Sequence, residues 1–359
     1  MDKGQTDQEY QEYPHLSCCI NLHAEDLFKN NHFTESDWHK HKSWTRHFIA
    51  APFLVTQVLA WYWPPVLVMT LIAVVASMYH EFAEPAGAPN VSGHNLTYPF
   101  TFTSFALSLL LVFRTNSAYT RWWEARTQIG GLLAISRTLA RQVLAWTDAK
   151  DVRDWEVAQS VVRWSIMLPF AVQSHLLVPG DIMEDAQDVL SKDEREWLKA
   201  CPHLPIAVSQ VISCKLTGLQ CCRASSIRHT TLEMQLTLYQ QTVAACERLL
   251  RQPVPIAYTR HTSRFLLTWL MFLPWSLWAT CQWLTIPITA IITFLLIGIE
   301  NIGVQIEQPF AVLPVASISN TIKANLMQML VSASATRRLA LPELHTCSPL
   351  GFTAHDEKQ

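Results

Sequence analysis

Three large apolar side chains, Phe105, Leu109 and Phe113, recur at intervals of four residues within a long apolar run. This spacing places them on one face of a helix, with a rise of about 6 Å from each to the next. Copies of such a helix around an axis would form three stacked apolar rings, which can gate ion flow by expelling water. In the alternative interpretation the three residues pack inside an ordinary membrane or core helix, as aromatic stripes commonly do. The spacing by itself is compatible with both.

Three arginines follow the apolar run, and no Gly or Pro intervenes. An abrupt change from apolar to polar sequence is typical of a helix that leaves lipid and continues into water. Arg114, Arg121 and Arg126 could line a vestibule and concentrate anions. Equally, they could snorkel towards water or pair with Glu124. The partially positive ring edges of Phe would favour an anion at the narrow point without a full charge that traps it.

The sequence contains no motif for catalysis, since GxSxG, HExxH, Walker and GxGxxG patterns are all missing. We therefore expect a protein that is not an enzyme and needs no cofactor. Nine cysteines without a CxxC spacing argue against zinc and against a disulfide framework. The run from 39 to 42 (HKHK) is expected to be a basic juxtamembrane stretch rather than a metal site. His175 is expected to be a satisfied core residue, and Glu300 and Glu307 to cap helices or contact another subunit.

The composition indicates a membrane protein with a substantial polar part, and the fold that we expect for it is all-α. Half of the 359 residues are hydrophobic, only 16% are charged, and 14 are Trp, which suits interfacial aromatic belts. The mean hydropathy is only +0.13, so polar helices must accompany the membrane helices. A net charge of −2, without a strongly basic region, gives no indication of nucleic-acid binding.

Hydropathy and turn signals divide the chain into two membrane pairs and polar helices. The uncharged stretch 48–79 predicts a span, with Pro64-Pro65 separating an entry piece from it. The following loop, 80–98, has no Lys or Arg, so the positive-inside rule places it outside. It carries two glycosylation-type triplets, at Asn90 and Asn95. The predicted order is a polar arm at 1–37, a first transmembrane pair with the neck helix at 38–113, a cytosolic-type helical domain at 114–260, a second transmembrane pair at 261–299, a helical segment at 300–338 and a disordered tail at 339–359.

Several shorter signals refine this division. Pro274 and Pro287 are expected to cut the second apolar block into pieces, which would fit either a helical hairpin or one broken helix followed by another. The segment 160–177 is apolar but short, so a buried helix of the polar domain is expected there rather than a span. Ser191 is predicted to cap a helix with acidic residues in its first turn. No span is rich in arginine, which argues against a voltage sensor of that kind.

Four stretches resemble the bestrophin family of pentameric anion channels. They are SLLLVFRTNSAYTRWWEAR at 108–126, ISRTLARQ at 135–142, CERLLRQPVPIAYT at 246–259 and GIENIGVQIEQPF at 298–310, followed by TIKANL at 321–326. In order they cover about residues 45–330. The resemblance implies four transmembrane helices per subunit around one central pore. It places the pore neck at Phe105, Leu109 and Phe113, and a cytosolic aperture at Val254, which could equally be an ordinary loop valine.

The resemblance also implies a function, a passive chloride channel in a homopentamer that is embedded in lipid. Bicarbonate or nitrate could be the permeant ion instead, and a cation-conducting relative or a non-conducting membrane scaffold are the rivals. The chain after Pro309-Phe310 reads AVLPVAS, without the acidic run of the animal calcium clasp, so no calcium gating of that type is expected. This departure favours the bacterial and the plant or algal branch. A chloroplast thylakoid location is implied by the plant-like FRTNSAY, with the plasma membrane as the alternative, since the acidic N-terminus is a poor transit peptide.

Overall fold

The computed structural model describes Lys42 and residues 51–89, 94–176 and 187–340. Within these ranges the protein is helical and contains no strand, which confirms the all-α prediction. The polar arm predicted at 1–37 and nearly all of the tail predicted at 339–359 lie outside the described residues. The chain divides into two compact units. Unit 1 comprises residues 1–126 and 249–314, and unit 2 comprises residues 127–248 and 315–359.

The described helices differ widely in length, and one of them, α2, has 53 residues. Its N-terminal part belongs to unit 1 and its C-terminal part to unit 2. In chain order the helices are α1 (Ala51–Met78), continued by a π-helix (Tyr79–Ala83), α2 (His94–Trp146), α3 (Val152–Leu176), α4 (Lys192–Lys199), α5 (Leu204–Gly218), α6 (Gln220–Ala224), α7 (Ser226–Arg251), α8 (Ile256–Cys281), a 3₁₀-helix (Gln282–Leu284), α9 (Thr285–Glu307), α10 (Pro309–Val312) and α11 (Val315–Ala340).

Unit 1 is built on the packing of α1, α8 and α9 against the first half of α2. Helices α8 and α9 are antiparallel, because Ser263 and Glu300, placed almost symmetrically about Gln282, are hydrogen bonded at 2.6 Å. One apolar cluster joins all four helices. Its buried members are Met69 from α1, Leu107 from α2, Leu266, Leu270 and Leu273 from α8, and Ile297 from α9.

The prolines break the apolar helices less than the sequence suggests. The separation expected at Pro64-Pro65 is wrong, because both lie inside the continuous helix α1. Pro274 likewise lies inside α8, and the chain turns at Gln282, which has a positive φ of 47°. Pro287 is the third residue of α9, a first-turn position where the missing N–H costs no helical hydrogen bond. Long apolar helices tolerate internal proline when their neighbours and local adjustments satisfy the freed carbonyls.

The loop predicted at 80–98 is shorter in the structure. The π-helix Tyr79–Ala83 extends α1 into it, and α2 begins at His94. Asn95, the first residue of the second glycosylation-type triplet, therefore lies within a helix, whereas Asn90 lies outside the described residues.

Unit 2 is organised around α3, which packs against α5 and α11. The buried helix predicted at 160–177 is confirmed, although it begins earlier, at Val152. Trp164 and Phe170 are almost fully buried on α3. The buried Tyr239 of α7 donates a hydrogen bond to the carbonyl of Leu168 at 3.1 Å, which satisfies its hydroxyl inside the core. Burial raises the pKa of Tyr239 well above its ordinary value.

The cap predicted at Ser191 is confirmed. Its side chain accepts a hydrogen bond from the Glu194 N–H, and the Glu194 carboxylate accepts one from the Ser191 N–H, so the two residues form a capping box at the start of α4. Trp164 of α3 also donates to Glu194, at 3.0 Å. This short helix is therefore fixed at its N-terminus and held to α3.

By length and composition, two helical segments among the described residues could cross a membrane. They are Trp63–Ala83 and the 52-residue segment Ile256–Glu307, and only 28% and 17% of their most apolar windows are buried. A membrane-spanning helix needs about 20 residues, so α8 and α9 are each long enough to span. Their low burial differs from that of a core helix in a soluble protein. The arrangement of four spans remains a prediction.

Candidate functional site

The three neck residues lie on the uncovered face of α2. Phe105, Leu109 and Phe113 are 72%, 44% and 54% exposed in the single chain. The opposite face of the same helix is buried, with Leu107 and Leu111 at 3% and 5%. The period of the α-helix explains this division, since residues four apart share a face. The buried face, here called the back, fixes the helix against its neighbours. The exposed apolar face, here called the front, can contact lipid or another protein surface.

Arg114 is buried at the end of the neck segment. Its side chain is 5% exposed, and its guanidinium donates to the Glu300 carboxylate of α9 and, at 2.9 Å, to Ser263 of α8. The Ser263 hydroxyl donates in turn to Glu300 at 2.6 Å. A buried charge requires such a partner and further hydrogen bonds. Pairing with a carboxylate was one of the possibilities raised for this arginine, and the partner that the structure shows is Glu300.

Arg121 lies two turns further along α2 and caps the end of α7. Its guanidinium donates to the carbonyls of Leu249 at 2.6 Å and Gln252 at 2.7 Å. The last carbonyls of a helix lack partners within the helix, and a cationic side chain is well suited to supply them. These bonds tie the neck helix to the loop that carries Val254. Sequence reasoning identified Arg121 as a possible vestibule charge and missed this capping role.

Arg126 differs from the other two arginines because it is exposed. Its guanidinium lies 5.5 Å from the ring centroid of Trp122 and 5.7 Å from that of Trp123. Contacts of this kind contribute about 0.5–1 kcal/mol at exposed sites and leave the charge accessible to solvent. The vestibule role therefore remains a prediction that suits Arg126 best among the three.

Val254, the predicted aperture residue, lies in the short loop between α7 and α8 and is half-buried. It lines an open cavity of about 380 Å³. The cavity is also lined by two exposed arginines, Arg260 and Arg264, one turn apart on α8, and by Glu307. Two positive groups against one negative group give the cavity a field that attracts anions. The sequence analysis missed both arginines, although their i, i+4 spacing directly after Val254 was a usable signal.

A second cluster of polar side chains lies in unit 2. His175, His203 and Glu247 bring their nitrogen and oxygen atoms to within 4.8 Å of one another. The sequence analysis expected His175 to be satisfied inside the core, and it does have a partner, because its Nε2 lies 2.7 Å from the Glu247 carboxylate. The convergence with His203 could not be read from sequence spacing. Among the described residues this is the group whose donor set could hold a metal ion.

Comparison with known proteins gives a family model that matches most of the chain and several similar relatives. The family model described as "Bacterial/Fungal Bestrophin protein" matches residues 37–328. The chain is 29% identical over 320 residues to voltage-dependent chloride channel 1, chloroplastic, of Arabidopsis thaliana, covering 88% of this chain and 77% of that protein. It is 31% identical over 267 residues to a voltage-dependent anion channel-forming protein of Nostoc sp., covering 73% and 84%.

The fold is similar to that of a bacterial bestrophin homologue from Klebsiella pneumoniae, whose crystal structure superposes with a TM-score of 0.67. The two share 22% sequence identity, and the match covers 74% of this chain and 97% of that one. The family model spans most of the chain and includes the neck segment, Val254 and the Glu300 region. The chain therefore belongs to the bestrophin family.

Proposed function

We propose that this protein is one subunit of a passive anion channel, in which five copies surround a central pore lined at its neck by Phe105, Leu109 and Phe113. The observation that carries the proposal is the division of α2 into a buried back, fixed to α1, α8 and α9, and an exposed apolar front. The names of the plant and cyanobacterial relatives, which are chloride and anion channels, support anion conduction. Chloride is the proposed ion, and bicarbonate and nitrate are the closest alternatives.

In the proposed channel, the neck controls conduction through the free-energy cost of removing water from the permeating ion. An apolar ring holds water poorly, so an ion crosses only when the ring is wide enough to keep part of its hydration shell. The edges of Phe105 and Phe113 face the ion with partial positive charge, which lowers the cost for an anion relative to a cation. No full charge lies at the neck, because the guanidinium of Arg114 is turned into the subunit towards Glu300.

The aperture provides the second constriction. Val254 narrows the path, and Arg260 and Arg264 raise the local concentration of anions beside it. The bonds from Arg121 to the carbonyls of Leu249 and Gln252 hold the preceding helix end in place. The aperture is therefore expected to discriminate among anions, whereas the neck controls whether any ion passes.

We further propose that the channel works without calcium and resides in the chloroplast thylakoid membrane. No carboxylate follows Pro309-Phe310 for several residues, and a calcium site needs several oxygen ligands. Currents are therefore expected to be equal in calcium and in a calcium chelator. Two Arabidopsis relatives carry the word chloroplastic in their names, which supports the location. Imaging a tagged protein in plant cells would distinguish it from the plasma membrane.

The experiment that tests the neck is a comparison of alanine variants in planar bilayers. Phe105→Ala and Phe113→Ala are expected to raise the chloride current by about tenfold or more, which corresponds to lowering the barrier by about 1.4 kcal/mol. Leu71→Ala is the matched control, because Leu71 is an equally apolar residue of α1 and is 55% exposed. A non-conducting scaffold predicts no current in any variant. Equal effects of Leu71→Ala and Phe105→Ala would also contradict the proposed neck.

A further inference from the structure

Three side chains of unit 2 that are able to ligate a metal ion converge from α3, the start of α5 and α7. His175 lies near the C-terminal end of α3, His203 is the residue that caps α5, and Glu247 lies in α7. The carboxylate oxygen Oε1 of Glu247 is 2.7 Å from Nε2 of His175 and 3.0 Å from Nε2 of His203. The two imidazole rings lie 4.4 Å apart, centroid to centroid. Their ring nitrogens and the carboxylate thus face a common centre.

The donor set matches the preferences of a borderline-soft divalent ion. Two imidazole nitrogens and one carboxylate oxygen are ligands that Zn²⁺ takes at about 2.0–2.2 Å, and in a tetrahedral site neighbouring ligands lie about 3.3 Å apart. The ligand atoms here lie within 4.8 Å of one another, so the side chains need only small shifts to reach that geometry. The side chains are 19%, 31% and 26% exposed for His175, His203 and Glu247, which leaves a route for the ion and for a water as fourth ligand.

Without an ion, the Glu247 carboxylate is stabilised by the two imidazoles. Burial raises the pKa of Glu247, but the hydrogen bonds from His203 and His175 and the nearby imidazoles outweigh it, so the pKa of this carboxyl is below its ordinary value. The carboxylate already lies between the two imidazole nitrogens without an ion. The groups that stabilise its charge are the two imidazoles, which are themselves the other two proposed ligands.

Binding of a metal ion would break one local hydrogen bond. Nδ1 of His203 accepts a long hydrogen bond, 3.4 Å, from the Ile206 N–H. A metal ion at Nε2 would place the ring proton on Nδ1 and release the Ile206 N–H. The cost is one weak capping bond at the first turn of α5, where the N–H groups have no partner within the helix.

We propose that His175, His203 and Glu247 bind one divalent transition-metal ion per subunit, with Zn²⁺ the best fit, and that the ion holds α3, α5 and α7 together. The site lies in unit 2, and the proposal does not depend on anion conduction. The neighbouring thiols of Cys201 and Cys246 are the nearest rivals in sequence for the same ion. A test must therefore separate imidazole and carboxylate ligands from thiolate.

The test uses the full-length protein without a polyhistidine tag, stripped with a chelator and titrated with Zn²⁺ in competition with a chromophoric chelator. Substituting both histidines of the HKHK run, His39→Gln and His41→Gln, removes a second histidine pair from the background. Three variants address the site without removing its packing. They are His175→Gln, Glu247→Gln and His203→Asn, the last of which keeps a good helix cap on α5. His229→Gln is the control, since His229 also lies on α7 with a carboxylate, Glu233, at 3.9 Å.

We expect one Zn²⁺ per subunit, a higher thermal midpoint with the ion bound, and a loss of affinity of about 10-fold or more in each of the three variants. The His229→Gln control should bind as the background protein does. Co²⁺ should give the visible bands of a tetrahedral site without a thiolate charge-transfer band. Absence of a bound ion, unchanged affinity in the three variants, or a thiolate band would each overturn the proposal.

Discussion

The Arg114 guanidinium donates to the Glu300 carboxylate although the two residues lie 186 positions apart in the chain. The pair joins α2 to α9, and Ser263 adds α8 through hydrogen bonds to both partners. Arg114 directly follows Phe113 in the chain. The pair therefore fixes the rotation of α2 about its own axis at the C-terminal end of the proposed neck. The orientation of the apolar front thus depends on a buried polar contact on the back of the same helix.

Removing one partner of this pair is expected to destabilise the protein strongly. Glu300→Gln leaves the buried Arg114 charge without a counter-charge, a change that costs about 3–5 kcal/mol in known cases. The thermal midpoint of the detergent-purified protein should fall accordingly. Glu307→Gln is the control, because Glu307 lies two turns further along α9 and is not the partner of Arg114. The double change Arg114→Met with Glu300→Leu should recover most of the loss, and failure of Glu300→Gln to lower the midpoint would contradict the role given to the pair.

Arg121 is expected to affect selectivity through the loop that it anchors. Arg121→Gln removes the charge-assisted bonds to the carbonyls of Leu249 and Gln252, and each such bond is worth about 1.5–3 kcal/mol. The loop at Val254 should loosen, so the permeability ratio of nitrate to chloride should shift towards that of Val254→Ala. Bi-ionic reversal potentials measure this ratio. A variant that keeps the wild-type ratio would separate Arg121 from the aperture.

Neutralising the arginines of the cavity is expected to reduce the chloride current mainly at low salt. Arg260→Gln with Arg264→Gln removes the positive field beside Val254, and salt screens such fields within about 10 Å at 0.1 M. The loss should be several-fold at about 0.01 M chloride and small at about 1 M. Lys192→Gln, which removes an 81% exposed charge in unit 2, is the control. A loss that is the same at both salt concentrations would indicate a structural defect instead of an electrostatic effect.

The capping box of α4 predicts an acid-sensitive contribution to stability. Burial raises the pKa of Glu194, but hydrogen bonds from the Ser191 backbone and Trp164 and the nearby charge of Arg163 outweigh it, so the pKa lies below 4.5. Because the folded value is the lower one, the contribution is complete above pH 4.5 and is lost as the pH falls through the folded value.

Ser191→Ala removes the side-chain half of the box and should cost about 1 kcal/mol. Glu194→Gln should remove the acid-sensitive part, so that its thermal midpoint varies less with pH below 4.5 than that of the wild type. Glu196→Gln, on the exposed face of the same helix, is the control. Parallel pH profiles for Glu194→Gln and the wild type would contradict this assignment.

Local signals in the sequence predicted the helices better than their ends and partners. The cap at Ser191 and the buried helix from about 160 follow from nearest neighbours and periodicity, so both are confirmed. The break at Pro64-Pro65 was wrong because neighbouring helices can satisfy a freed carbonyl, which local propensity does not report. The turn at Gln282 depends on a single positive φ for which the surrounding apolar residues give no sign.

The partners of the charged residues could not be predicted because they are distant in the chain. Glu300 pairs with Arg114 over 186 positions, and His175 meets Glu247 over 72. Nothing in the local pattern distinguishes such a carboxylate from an exposed one. The exposed stripe of Phe105, Leu109 and Phe113, by contrast, follows from the helical period together with the burial of the opposite face.

Anion conduction can be tested by the reversal potential of the reconstituted protein in asymmetric potassium chloride. An anion channel should give a reversal near the chloride equilibrium potential, and Phe105→Ala should give a larger current with the same sign of reversal potential. A reversal near the potassium equilibrium potential would contradict anion conduction.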